Sequence, residues 1–189
     1  MMRSRRMLGA LALVAAVCGC TSQDDLANAE AIIRGEGAVV RVNTKDCLSR
    51  TLDFDRAAGE LSLHLSLITG CDVPVVTNLT GREKYVLNVG FTPAGEDLKA
   101  LKPEEGRWRI GSTNAWFWGE GAGGTHIAAV TFLEDELDVG WPWLTNIAYR
   151  ARNPIAVRNA EGAWHPEVRM RGIRAGRGGA ANKEVLSWR

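Results

Sequence analysis

The chain has 189 residues, 46% of them hydrophobic, with 23 basic against 22 acidic side chains and a formal net charge of +1. That is the size of one domain with a hydrophobic core of its own. The near-neutral sum gives no overall excess of positive charge of the kind that binds nucleic acid.

At the N-terminus three arginines (Arg3, Arg5, Arg6) precede an apolar run from Met7 to Val17. The run is shorter than the roughly 20 residues that span a bilayer, and it has the length of a secretory h-region. Val17-Cys18-Gly19-Cys20 follows and resembles a bacterial lipobox, in which a small residue precedes the cysteine that receives the lipid. Gly19 before Cys20, with Val17 three residues back, makes Cys20 the predicted lipidation site. Cys18 then leaves with a signal peptide of residues 1–19. An ordinary signal peptide cut near Ala16 or Gly19 is the competing reading. The resemblance to bacterial lipoproteins covers residues 1 to 23. It implies a protein held in the envelope by acyl chains such as palmitate. Thr21 rather than Asp after the cysteine implies the outer membrane, with the domain facing the periplasm. No later apolar run approaches a membrane span, so the lipid is the expected anchor.

The charges of the mature chain divide unevenly: residues 20–138 hold 11 basic and 19 acidic side chains, residues 139–189 hold 9 and 3. Such asymmetry fits anionic lipid, a glycan or an acidic protein as partner, and in an envelope compartment no nucleic acid is expected. Two halves that face each other and neutralise account for it equally well.

Residues 20–36 are small and polar at their start and read as a lipidated tether, with a short helix capped by Asp24 or Asp25 as the other possibility. Residues 37–189 are expected to form a single β-rich domain. Glu36 to Asn43 is short and β-branched and predicts a first strand; Thr51 to Asp55 alternates. Leu61, Leu63, Leu65 and Leu67 then alternate with Ser62, His64 and Ser66, the period of a half-buried strand. The alternation recurs at Tyr85, Leu87, Val89 and Phe91. A short helical fragment is predicted from Gly95 to Leu101, ended by Pro103 and Gly106. The second half supplies the short β candidates RWRIGS, NAWFWGE, THIAAVTFL, TNIAYRAR, PIAVRN and HPEVRMRGI, punctuated by glycine, proline and asparagine. This spacing predicts an all-β fold, an antiparallel β-sandwich or flattened barrel with one short helix.

After Cys20 two cysteines remain, Cys47 and Cys71. An oxidising envelope predicts a disulfide between them. Their loop of about 24 residues corresponds to roughly 3 kcal/mol in the chain-entropy model.

Gly119, Gly121 and Gly124 satisfy GxGxxG, but the β-like THIAAVTFL behind them predicts a hairpin connection or bulge rather than a dinucleotide loop. His64, His126 and His165 lack zinc spacing. Glu134, Asp135, Glu136 and Asp138 form the densest acidic cluster. It reads as a solvated loop, with a carboxylate-dependent hydrolase or a calcium loop as weaker alternatives. No catalytic residue, cofactor site or metal site is therefore assigned. All seven tryptophans lie in the second half. Trp116 and Trp118 share one strand face, and Trp141 and Trp143 bracket Pro142, so these four are the partner-binding candidates. WFWGEG is similar to a strand of periplasmic lysozyme-inhibitor lipoproteins, whose other motifs this chain lacks. The expected function is a non-catalytic binding module for an envelope protein or glycan, an immunity or inhibitor protein being one form. A structural component of an envelope assembly or secretion machine is the alternative.

Overall fold

The computed structural model describes residues 21–44, 51–143 and 146–166. Ser22 caps a first helix, α1 (Gln23–Ala27), by accepting a hydrogen bond from the Asp25 N–H at 3.0 Å. Strands β1 (Ala31–Ile33) and β2 (Ala38–Val42) follow, then helix α2 (Thr51–Thr69), the two-residue strand β3 (Val75–Val76) and β4 (Tyr85–Val89). One 3-10 turn at Leu98–Ala100 precedes β5 (Gly106–Ile110) and β6 (Asn114–Gly119). Helix α3 (Gly121–Asp135) leads into β7 (Gly140–Trp143), β8 (Asn146–Ala148), β9 (Ile155–Val157) and β10 (Glu161–Trp164).

Six strands form one mixed sheet in the order β10-β5-β6-β4-β2-β3. Strands β3, β2, β4 and β6 run parallel, while β5 and β10 add antiparallel to the far edge. Strands β1 and β9 pair antiparallel in a separate ribbon, as do β7 and β8. Helices α2 and α3 pack on each other and on one face of the large sheet. That face is lined by Val40, Val42, Leu87, Val89, Trp108, Ile110, Ala115 and Phe117, all buried. Phe117 meets Phe132 of α3 edge-on, with ring centroids 5.2 Å apart. The protein is thus a two-layer α/β structure, and the predicted all-β sandwich or barrel is corrected on this point.

The correction comes from two segments. Leu61 to Leu67 belongs to α2 rather than to a strand. The buried positions are Phe54, Ala57, Ala58, Leu61, Leu65 and Ile68, a stripe of helical period that runs well upstream of the four leucines. Leu63, inward in the strand reading, is 48% exposed, and His64, outward in that reading, is fully buried. Leucine is a strong helix former, and no β-branched residue lies between Asp53 and Leu67 to oppose the helix. Gly70, with φ +70°, closes it by donating its N–H to Ser66 O.

The second segment is THIAAVTFL, which is helical because Thr125, Ala128, Ala129, Phe132 and Leu133 form the inward stripe of α3. The glycines before it make a strand-to-helix turn, not a hairpin. Their use is close approach. A Cβ on Gly119 or Gly124 would run into the backbone of Glu105, Gly124 or Thr125, so these glycines let the start of α3 rest directly on β5 and β6. Among the described residues the chain leaves α3 for the β7–β8 ribbon and returns to the large sheet only at its antiparallel edge, so no parallel strand follows there as a dinucleotide site requires.

The predicted tether is folded from Thr21 onward. Thr21 donates its hydroxyl to Pro154 O at 2.5 Å, and Glu30 N–H reaches Val157 O at 3.0 Å. Ile33, at 1% exposure, enters the core beside Ile155 and Val157. No helix among the described residues is long and apolar enough to cross a membrane.

Candidate functional site

Because both helices cover the same side, the other side of the sheet carries polar and aromatic side chains together with Val39, Val76 and Val86. Strand register sets one row straight across it. Val76 faces Arg41, Arg41 faces Asn88, Asn88 faces Trp116, Trp116 faces Arg109, and Arg109 faces Glu161. Neighbouring strands lie about 4.8 Å apart, so Arg41 and Arg109 are separated by roughly 14 Å with Asn88 and Trp116 between them. Arg41 and Asn88 each stand alone among apolar neighbours, in AVVRV and YVLNV, on the side away from the helices; Arg41 is half-buried there and Asn88 is buried, at 8% exposure.

The row is held rigidly. Arg109 donates from Nη2 to Glu96 Oε1 and from Nε to Glu161 Oε1, each at 2.6 Å. The Glu96 bond, supported by Glu161, raises the Arg109 pKa above its ordinary value, although partial burial opposes this. Arg107 joins the group at 3.5 Å from Glu96 and 2.6 Å from Glu105. Burial pushes the Glu105 carboxyl up, but the Lys102 N–H and the Arg107 guanidinium outweigh it and hold the group below its usual value. Arg109 also lies 5.8 Å from the centre of the Trp118 ring, and Arg41 sits 4.4 Å over Phe91. Asn88 donates its side-chain amide to Ala115 O at 3.2 Å.

The predicted site residues fare differently. Strand β6 does place Trp116 and Trp118 on one face and Phe117 in the core, but Trp118 is only 3% exposed and Trp116 is half-buried. Trp116 is therefore the indole of this pair with surface to offer. Trp141 packs on the core, edge-on to His64 with centroids 5.4 Å apart, and the side chain of Trp143 lies outside the described residues. Cys20 and Cys47 also lie outside the described residues; Cys71 is half-buried after α2, its Sγ 3.5 Å from Asn153 Nδ2. The acids do not converge. Glu134 and Asp135 are exposed at the end of α3. Glu136 is buried, and its carboxylate accepts from Arg158 N–H, Asn159 N–H and Asn159 Nδ2 at 2.7–3.2 Å. A carboxylate so occupied is a structural clamp, not a general acid. Among the described residues no group of three His, Cys, Asp or Glu is arranged to hold a metal ion.

His64 sits in the core with Nδ1 2.8 Å from Glu60 O. Burial raises the Glu60 carboxyl pKa, and His64 and Arg56 counter this in part.

No family model matches the chain, and no curated protein matches it. Among solved structures it is similar to the GH20 β-N-acetylhexosaminidase of Streptomyces coelicolor A3(2), at 16% identity and TM-score 0.35 over 70% of this chain and 23% of that one. A mutant β-hexosaminidase of Streptomyces plicatus in complex with its product GlcNAc matches at 17% identity and TM-score 0.37, over 70% and 22%. The chain spans less than a quarter of those proteins' length. At that identity and TM-score the likeness assigns neither a family nor an activity.

Proposed function

We propose that this chain is a lipid-anchored envelope protein, attached through Cys20 to the outer membrane, whose sheet face away from the helices is a non-catalytic binding surface for a glycan. The observation that carries the reading is the row Arg41, Asn88, Trp116 and Arg109 across the side of the sheet away from the helices, where Arg41, Trp116 and Arg109 keep part of their surface. An indole with the Arg109 guanidinium beside it and that of Arg41 further along the row suits a sugar chain. The ring takes the C–H face of a pyranose, and the flanking polar groups bond its hydroxyls. The side chains are already fixed by Glu96, Glu161 and Phe91, so little ordering is left to oppose binding. The reading includes a disulfide between Cys47 and Cys71 closing the segment that leads into α2.

The test is sedimentation of the detergent-solubilised mature protein with purified peptidoglycan sacculi, the long periplasmic glycan. The wild type is expected in the pellet. Trp116→Ala should weaken binding roughly tenfold or more, as loss of an anchoring aromatic does, with little change in the unfolding midpoint. Trp116→Tyr, which keeps a flat ring, should retain most of it. Equal pelleting of wild type and Trp116→Ala, or no pelleting of the wild type, overturns the glycan assignment.

A further inference from the structure

A second charged feature is a cleft whose lining shares no residue with this row. Helix α1, the end of α3 and the segment around β9 enclose a cleft of about 330 Å³, room for about eleven waters by their share of liquid volume. Asp24, Asp25 and Asp138 line it together with Arg150, Arg152 and Arg158. Glu136 also borders it, but its oxygens are already taken by Arg158 N–H and Asn159.

Arg152 is the informative member. Its side chain is only 8% exposed, yet its contacts are weak: Nη1 lies 3.5 Å from Asp138 Oδ2 and Nη2 lies 3.4 Å from Glu136 O. Its Nε is buried with no hydrogen-bond partner. A guanidinium this buried normally has a close anionic partner, because desolvation disfavours its charge and raises the cost of leaving it unpaired. Burial does lower its pKa, with Asp138 only partly compensating. Arg150 and Arg158 stand exposed at the same cleft. Three carboxylates line the same cleft, Asp138 beside Arg152, so the cleft offers both signs of charge rather than a simple anion hole.

Its location selects among ligands. Thr21 lines the cleft and is tied down through its hydroxyl to Pro154 O. Thr21 is bonded to Cys20, and no slack separates the anchor from the fold. A lipid on Cys20 therefore brings this cleft to the bilayer surface.

We propose that the cleft takes the phosphoethanolamine headgroup of a neighbouring membrane lipid, its phosphate toward Arg150, Arg152 and Arg158 and its ammonium toward Asp24, Asp25 and Asp138. The inference rests on the Cys20 anchor for the source of the ligand, and on the cleft alone for its chemistry. Docking of this kind orients the domain on the membrane, which a lipid on a loose tether does not.

The experiment uses the mature lipidated protein in detergent and titrates it with soluble sn-glycero-3-phosphoethanolamine by calorimetry. Binding is expected, and Arg150→Ala with Arg158→Ala, both exposed positions, should weaken it at least tenfold without moving the unfolding midpoint. Asp24→Asn with Asp25→Asn should also weaken it. Binding of inorganic phosphate that equals that of the glycerol ester, unaffected by the aspartate changes, overturns the zwitterion assignment. No binding of either compound overturns the site. A second arm inserts the protein into vesicles of phosphatidylcholine with or without phosphatidylethanolamine and reads the exposure of the cleft to a water-soluble arginine-modifying reagent. Protection of Arg150 and Arg158 only by phosphatidylethanolamine supports the membrane source. Soluble binding without that protection overturns it in favour of a free ester. Mass spectrometry of the N-terminal peptide reads the anchor separately: an unmodified Cys20 overturns the anchor and the membrane source, while the titration still judges the cleft.

Discussion

Two glutamates show how the same side chain acts with opposite sign in different surroundings. Glu83 accepts from Thr80 N–H at 2.7 Å, Thr80 Oγ1 at 2.8 Å and Gly81 N–H at 2.8 Å. These bonds, led by the Thr80 N–H, lower its pKa to about 2 from an ordinary 4.5. A depressed folded value means stability that is present above pH 4.5 and lost as pH falls toward 2. Glu60 is raised, chiefly by burial, so its favourable contribution is complete below 4.5 and lost as pH rises through the folded value. Melting midpoints of two variants check the signs. Glu83→Gln should melt below the wild type at neutral pH, with the gap closing between pH 4.5 and 2. Glu60→Gln should melt above the wild type at neutral pH, with its gap closing toward acid. A gap that stays constant with pH in either variant contradicts the assignment for that residue.

At the scale of elements, α2 is the segment whose identity mutation separates most sharply. Leu65→Ala removes a side chain that is 1% exposed and should cost about 2–5 kcal/mol, whereas Leu63→Ala, at 48% exposure, should change stability by about 0.5 kcal/mol or less. Denaturant unfolding measures both, and equal losses would restore the strand. The strands β2, β4, β5 and β6 were legible in the sequence because they are short runs rich in β-branched and aromatic residues, bounded by glycine, proline and asparagine. The helices were hidden for two physical reasons. Much of their inward surface is alanine, at Ala57, Ala58, Ala128 and Ala129, which weighs little in an apolar pattern but lets helices approach closely. The start of α3 is also rich in glycine, normally a helix breaker, and only the sheet backbone pressed against Gly124 explains why it is there. The aromatic half of the candidate row was visible at Trp116. Its neighbours Arg41, Asn88 and Arg109 were not, since they lie on three other strands and only the register joins them.

For the whole molecule, the uneven charge along the chain resolves in part into contacts. Arg150, Arg152 and Arg158 from the basic end meet Asp24, Asp25 and Asp138 from the acidic part across one cleft. Under the proposed anchoring, placement on the membrane depends on processing. Cys20→Ala should leave uncleaved precursor that takes up no labelled palmitate, while Cys18→Ala should do neither. Label retained without Cys20 would refute the anchor, and recovery of the wild type in the inner-membrane fraction would refute the outer-membrane address.

The bond from Thr21 to Pro154 joins residues 133 apart in sequence. Closing a span of that length costs on the order of 4 kcal/mol of chain entropy before any contact offsets it. Contacts of such separation slow folding, and β1 cannot pair with β9 until nearly all of the described chain has been delivered. The segment from Thr21 to Ile33 thus waits on a strand near the other end of the described residues. Under the proposed anchoring at Cys20 this would set a timetable, with the modifying enzymes meeting a segment whose Thr21 has not yet reached Pro154.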